Sequence, residues 1–209
     1  MAEPKQERAV KTRETILFAA AQVFDECGYQ GASISKIMHR ADVTQGGLYF
    51  HFKSKKGLAL AVMAHQQEFV HFPEGGVGLQ RLIDLNFFLA YELQTNVLFR
   101  ASVRLAVDQG DFGVQDDTAY QEWVDQFYVH MCAAREQGEL LDDVDEREFA
   151  TMLVGAYSGT QIFSNVSTGR ADLPERITTL WRYLLPAVAT PETIRRLRFP
   201  TSAKHRVAA

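Results

Sequence analysis

The chain is poor in the residues that staple, anchor or break a fold. Its 209 residues hold two cysteines, Cys27 and Cys132. Both fall in apolar helical patterns and read as buried free thiols of a reducing compartment, not as a disulfide framework. Long apolar runs are missing too. The cleanest, Leu58 to Ala64, is too short to span a bilayer. Residues 1–13 are charged and lack an apolar stretch, so no signal peptide is expected and the chain is placed in the cytoplasm. Without secretion the sequon Asn165-Val166-Ser167 carries no weight. Strand alternation, internal repeats and low-complexity segments are also absent. The six histidines (His39, His51, His65, His71, His130, His205) are scattered, and His65 and His71 miss the i, i+4 spacing of a helical metal face. In Gly155-Ala156-Tyr157-Ser158-Gly159 the serine falls in the wrong place for a nucleophile elbow, and no glycine loop cradles a phosphate. No catalysis, cofactor or metal is expected.

What is present is an uneven charge. Residues 1–63 carry 9 basic and 6 acidic groups, and the remainder carries 13 and 20, for a net charge of −4. The positive potential sits in a small N-terminal segment, and the acidic remainder is not built to meet nucleic acid. One pole suits DNA and the other has a different task. The length allows one large or two small domains.

Helical spacing runs through the whole chain, so the fold class is all-α. Residues 1–10 read as a flexible polar arm, and Lys5, Arg8 and Lys11 either touch a DNA backbone or are solvated. A long helix follows from Thr12 to Cys27, closed by Gly28-Tyr29. Ser33 caps a helix with apolar Ile34, Ile37, Met38 and Ala41, and Thr44 caps another whose Leu48 and Phe52 point inward. Ser54 caps a helix from Lys55 to about Val70, and Phe72-Pro73-Glu74-Gly75-Gly76 breaks it. Further helices are expected at Leu79–Gln94, Leu98–Asp108, Thr118–Gly138, Asp145–Ser164 and Asp172–Val188, with a short last one after Thr190-Pro191. Thr118 with Gln121 and Asp145 with Glu148 read as capping boxes. The expected division is a helix-turn-helix DNA-binding domain over residues 1–60 and a helical ligand-binding and dimerisation domain over residues 61–209.

The unit from Ser33 to Phe52 reads as a helix-turn-helix. Its outward residues are Gln45, Gly46, Gly47, Tyr49 and His51. Two glycines at a helix start cost roughly 1 kcal/mol each against alanine. They fit a place where a phosphate or base edge approaches the backbone. Gln45 is placed to read a base, Tyr49 and His51 to hold phosphates, and Ser33 and Lys55 to meet phosphates at helix starts. Thr44 joins this set as the cap, while Lys36 and Arg40 are either DNA contacts or solvated helix charges.

This stretch resembles the DNA-binding domain of the TetR family of repressors. The long first helix, the Gly28-Tyr29 end, Val43 in the turn, the run Gly46 to Phe52 and Lys55 carry the likeness over nearly all of residues 10–60. The run Gly46-Gly47-Leu48-Tyr49-Phe50-His51-Phe52 is similar to that of the γ-butyrolactone receptor group. So are Arg100-Ala101-x-x-Arg104-Leu105, Glu122-Trp123 and Gly155-x-x-x-Gly159-Thr160-Gln161. The group often has lysine at the position of Gln45, so operator preference does not carry over.

The resemblance implies a repressor that binds double-stranded operator DNA as a homodimer and is released by a small lipid-like lactone, butenolide or furan, controlling antibiotic production. It implies Trp123 in the ligand pocket and Thr160 as a hydrogen-bonding partner. A drug-responsive regulator, or a pseudo-receptor answering to antibiotics, is the alternative. The candidate wall is aromatic: Phe87, Phe88, Trp123, Phe127, Tyr157 and Phe163, with an amide from Gln66 or Gln67. Aromatics at this spacing also form ordinary core. The helices Asp145–Ser164 and Asp172–Val188 match the family's dimer bundle, with Leu180, Trp181, Tyr183, Leu184 and Leu185 either anchoring the dimer or forming internal core.

Overall fold

The computed structural model describes residues 5–64 and 72–200. Ten α-helices and a short 3-10 helix are found among the described residues. The one strand-like feature there is an isolated antiparallel bridge between Leu140 and Ala189. The chain divides into two compact units: residues 1–71 with 96–116, and residues 72–95 with 117–209.

The smaller unit holds α1 (Lys5–Gly31), α2 (Ile34–Ala41), α3 (Gln45–His51) and α4 (Lys55–Ala64). It also holds α6 (Val97–Val107) and the 3-10 helix Asp108–Phe112. Helix α1 starts earlier than the sequence suggests, so most of the expected arm, including Arg8, is helical, as is Lys11. Ile16, Ala20, Val23 and Phe24 from α1 pack with Ile37, Leu48, Phe52, Leu58 and Val62 into one buried cluster. Ala101, Leu105 and Phe112 complete that cluster. The sequence-based division put residues 96–116 with the larger domain. By packing they belong to the small unit, because α6 supplies apolar residues that the short helices lack.

The motif Arg100-Ala101-x-x-Arg104-Leu105 thus has a physical reading. Ala101 and Leu105 face the small core. Arg100 pairs with Asp25 at 3.0 Å, and Arg104 donates to the Asp25 carbonyl at 2.6 Å. Gly28 sits beneath, with φ 67°, where an added Cβ would lie 2.8 Å from Arg104 Nη2. Glycine there satisfies both the left-handed backbone and the close approach.

The larger unit packs α5 (Leu79–Thr95), α7 (Thr118–Glu136), α8 (Glu146–Thr168) and α9 (Leu173–Val188), with the short α10 (Pro191–Arg196). Leu82, Leu89, Phe127, Met131, Leu153, Ile177 and Trp181 are buried in it. Arg135 fastens the α7–α8 turn through Glu146 at 2.5 Å, the Leu141 carbonyl at 2.8 Å and the Val144 carbonyl. The Asp145 cap is as expected, with Oδ1 accepting from the Glu148 amide at 2.7 Å. The other capping box is not formed, because the N-cap side chain of α7 makes no capping hydrogen bond. Asp117 is the N-cap of α7 and Thr118 is already helical, while Gln121 donates to the Asp117 carboxylate at 3.0 Å. Cys27 and Cys132 are free, but both are half-buried instead of buried.

Candidate functional site

The helix-turn-helix geometry rests on two side-chain caps. Ser33 Oγ accepts from the Lys36 amide at 3.2 Å, and Thr44 Oγ1 accepts from the Gly47 amide at 3.2 Å. Asp42 turns the chain between α2 and α3 in the left-handed region, at φ 51°. Leu48 is fully buried and Phe52 nearly so, which fixes the rotation of α3. Gln45, Gly46 and Tyr49 are left exposed, Gly47 and His51 half-buried. A Cβ added at Gly46 would meet nothing within 4 Å. Internal packing therefore does not call for glycine there. At Gly47 the nearest atom, Thr44 Oγ1, would lie at an ordinary 3.4 Å.

Three basic side chains around the helix-turn-helix, Lys36, Arg40 and Lys55, already have partners. Lys36 Nζ donates to the Gly31 carbonyl at 3.3 Å, and Arg40 pairs with Glu26 at 2.6 Å. That pair holds the Glu26 carboxyl below its ordinary value, mainly through the hydrogen bond from Arg40. Lys55 Nζ lies 4.3 Å from the Tyr29 ring centroid and 3.5 Å from the Gln30 carbonyl oxygen. Partial burial lowers its affinity for a proton. Any phosphate it meets must share the ammonium with the Tyr29 face. Sequence reasoning overlooked Phe50, which is 73% exposed on α3.

In the larger unit the candidate aromatics separate into groups. Phe88, Trp123 and Phe127 come together, and Phe72 joins them. Phe72 lies 5.6 Å from Phe88 and 5.9 Å, edge-on, from Trp123, and Trp123 lies 6.2 Å from Phe127. No periodicity marked Phe72, because it precedes Pro73 in an irregular segment. Phe87 points elsewhere, its ring 6.4 Å from Phe199. Phe163 is 62% exposed with the Arg176 guanidinium 4.2 Å over its ring. It lies on the outer face of α8, outside any wall formed with Trp123 in one chain. Tyr157 is buried, and its hydroxyl donates to the Asn86 carbonyl at 3.2 Å. Asn86 Oδ1 also accepts from Trp181 Nε1 at 3.2 Å. Thr160 spends its hydroxyl proton on the Ala156 carbonyl at 2.7 Å, so it faces any ligand as an acceptor. Gln66 and Gln67 lie outside the described residues.

The expected dimer anchors separate as well. Trp181 and Leu185 are core. Tyr183 is 77% exposed, and Leu180 and Leu184 are half-buried. With Met152, Ile162, Phe163 and Val166 they leave an apolar outer face on α8 and α9. Among the described residues no helix is long and apolar enough to cross a membrane, and no group of His, Cys, Asp or Glu is arranged to hold a metal.

Comparison with known proteins gives the family. Residues 16–62 match the family of bacterial regulatory proteins of the TetR type, and residues 77–190 match the tetracycline repressor-like C-terminal domain. The A-factor receptor protein of Streptomyces griseus is 38% identical over 194 residues, covering 93% of this chain and 70% of that protein. The crystal structure of native TylP, a TetR regulator from Streptomyces fradiae, aligns with a TM-score of 0.79 and 43% identity over 92% of this chain and 93% of that one. The structure of a γ-butyrolactone receptor aligns with a TM-score of 0.69 and 27% identity over 90% and 93%. TetR regulators bind operator DNA, dimerise and bind small molecules. With both domain types matched over most of its length, this chain belongs to the TetR family of transcriptional repressors, and its relatives include the A-factor and γ-butyrolactone receptors.

Proposed function

We propose that this repressor is released from its operator by a small, mostly uncharged, lipid-like signal of the γ-butyrolactone, butenolide or furan type, and that it controls antibiotic production. The observation that carries the reading is the aromatic nest of Phe72, Phe88, Trp123 and Phe127 in the larger unit. Apolar walls with a few placed polar atoms suit an alkyl-bearing lactone. The γ-butyrolactone receptor among its relatives supports the same ligand class. On this reading Trp123 packs the lactone and Thr160 is a nearby polar group. Residues 1–60 hold the operator through Gln45, Gly46, Gly47, Tyr49 and His51 on α3. Ser33, Lys36, Thr44 and Lys55 flank them. The larger unit senses the ligand and dimerises, and the outer face of its α8 and α9 joins two copies.

Release is a population shift. The free dimer holds its two recognition helices at operator spacing, and the liganded dimer favours another arrangement. Two half-sites multiply the affinity that one short helix cannot supply alone. A near-complete switch takes about 5.5 kcal/mol of differential affinity, within reach of two ligands acting together. A gel shift on the DNA upstream of the protein's own gene tests this, titrated with a synthetic γ-butyrolactone carrying a short alkyl chain. Binding that the lactone abolishes is the expected result. Binding undisturbed by the lactone but released by antibiotics would replace the ligand class with that of a pseudo-receptor.

A further inference from the structure

Helix α3 has an outer side that the contacts expected of Gln45, Tyr49 and His51 do not use. Leu48 and Phe52 fix its inner side. Phe50 lies two residues from each, about 200° around the helix, so its ring projects on the opposite side. It is 73% exposed, and its ring meets the edge of His51 at 5.0 Å. Gly46 lies one turn earlier on that same side, with open space where its Cβ would be. The outermost ridge of α3 is therefore a notch followed by a protruding apolar ring.

A scattered exposed aromatic is ordinary on a protein surface. This one stands on the recognition helix, in a segment of positive charge balance, beside a glycine that the internal packing does not require. Both features cost the free protein something, and both are accounted for by a partner that approaches the ridge closely. The floor of the major groove offers hydrogen-bonding atoms at every base pair, and its one apolar feature is the thymine C5-methyl group. We propose that Phe50 is a specificity-determining residue that packs on a thymine methyl of the operator, and that Gly46 lets the helix approach closely enough for the contact. This rests on the reading of α3 as the DNA-contacting helix.

The test begins with full-length protein and a random-sequence duplex pool from which it selects its own sites. Each thymine of the selected duplex is then replaced singly by deoxyuridine, which deletes only the methyl. Wild-type protein should lose roughly fourfold in affinity at one thymine per half-site, the value of one methyl withdrawn from water at ~0.8 kcal/mol. Phe50→Ala should bind the thymine and deoxyuridine duplexes equally, while Phe50→Leu keeps part of the preference. Because the ring is exposed, thermal unfolding of Phe50→Ala should match the wild type. Wild-type binding that is indifferent to every replacement overturns the inference, as does a Phe50→Ala variant that still discriminates. Loss of dimer in Phe50→Ala would reassign the ring to a protein contact and also overturn it. A protein that selects no duplex removes the DNA reading itself, which the indifferent outcome leaves standing.

Discussion

The two units keep their unusual residues in opposite places. In the small unit they face outward: Gly46 and Phe50 stand on the open side of α3, over an apolar cluster, and the buried polar residues Ser102 and Gln109 bond only within their own segment. In the larger unit they face inward. Asn86, Gln161, Ser164 and Arg170 are buried there: Asn86 accepts from Tyr157 and Trp181, Gln161 from Arg170, the Arg170 carbonyl from Gln94, and Ser164 donates to Asp172. Outward oddities mark a surface shaped for an external partner. Buried, hydrogen-bonded polar groups fix how helices register against one another, since few other arrangements satisfy them. A reader of DNA and a domain with discrete internal arrangements are what a ligand-operated repressor requires.

Substitutions can sharpen or break this contrast. The largest effect is expected from Trp181→Ala, which removes a fully buried ring from the larger unit and leaves Asn86 Oδ1 without its donor. A loss of about 3–5 kcal/mol is expected in denaturant unfolding. A loss below 1 kcal/mol would show that the inward network does not hold the unit. Next is Arg100→Ala, which leaves Asp25 without its ion pair between α6 and α1. Because both side chains are partly exposed, the cost should be about 1–2 kcal/mol, read as faster amide exchange in α1 and α6. Gly46→Ala should act in the other direction, stabilising the small unit by roughly 1 kcal/mol while weakening operator binding. If it stabilises without weakening, the outer side of α3 does not meet DNA.

The smallest effect concerns acid. Asp172 is held down to about 2, from an ordinary 3.8, first by the Ser164 hydroxyl and then by Thr168 and Arg176. A depressed folded value means that its stabilisation is complete above 3.8 and is lost as pH falls through about 2. Asp172→Asn should therefore flatten acid unfolding only in that window. The variant should also be less stable than the wild type near neutral pH, and a deficit that stays constant as pH falls through the window would point to lost packing instead.

The helix-turn-helix was legible in the sequence because its determinants are local. The Ser33 and Thr44 caps and the Leu48–Phe52 pair each act within a few residues. The place of α6 was not legible, because the Arg100–Asp25 and Arg104–Asp25 contacts join residues far apart in the chain. Periodicity identified aromatic helices in the larger unit but not the direction of each ring. Phe87 and Phe88 are adjacent, yet one meets Phe199 and the other Phe72. Trp181 and Tyr183 lie two apart on α9, one fully buried and the other 77% exposed. Phe50 was visible in principle, since counting around α3 from Leu48 and Phe52 places it farthest outward.

The central claim is that DNA reading and signal sensing reside in different units and are coupled. It is tested most directly with Trp123→Ala, compared with wild type in operator binding across a γ-butyrolactone titration. The account predicts equal affinity for the operator without lactone and release of the wild type alone. Release of the variant at the same lactone concentration would contradict it.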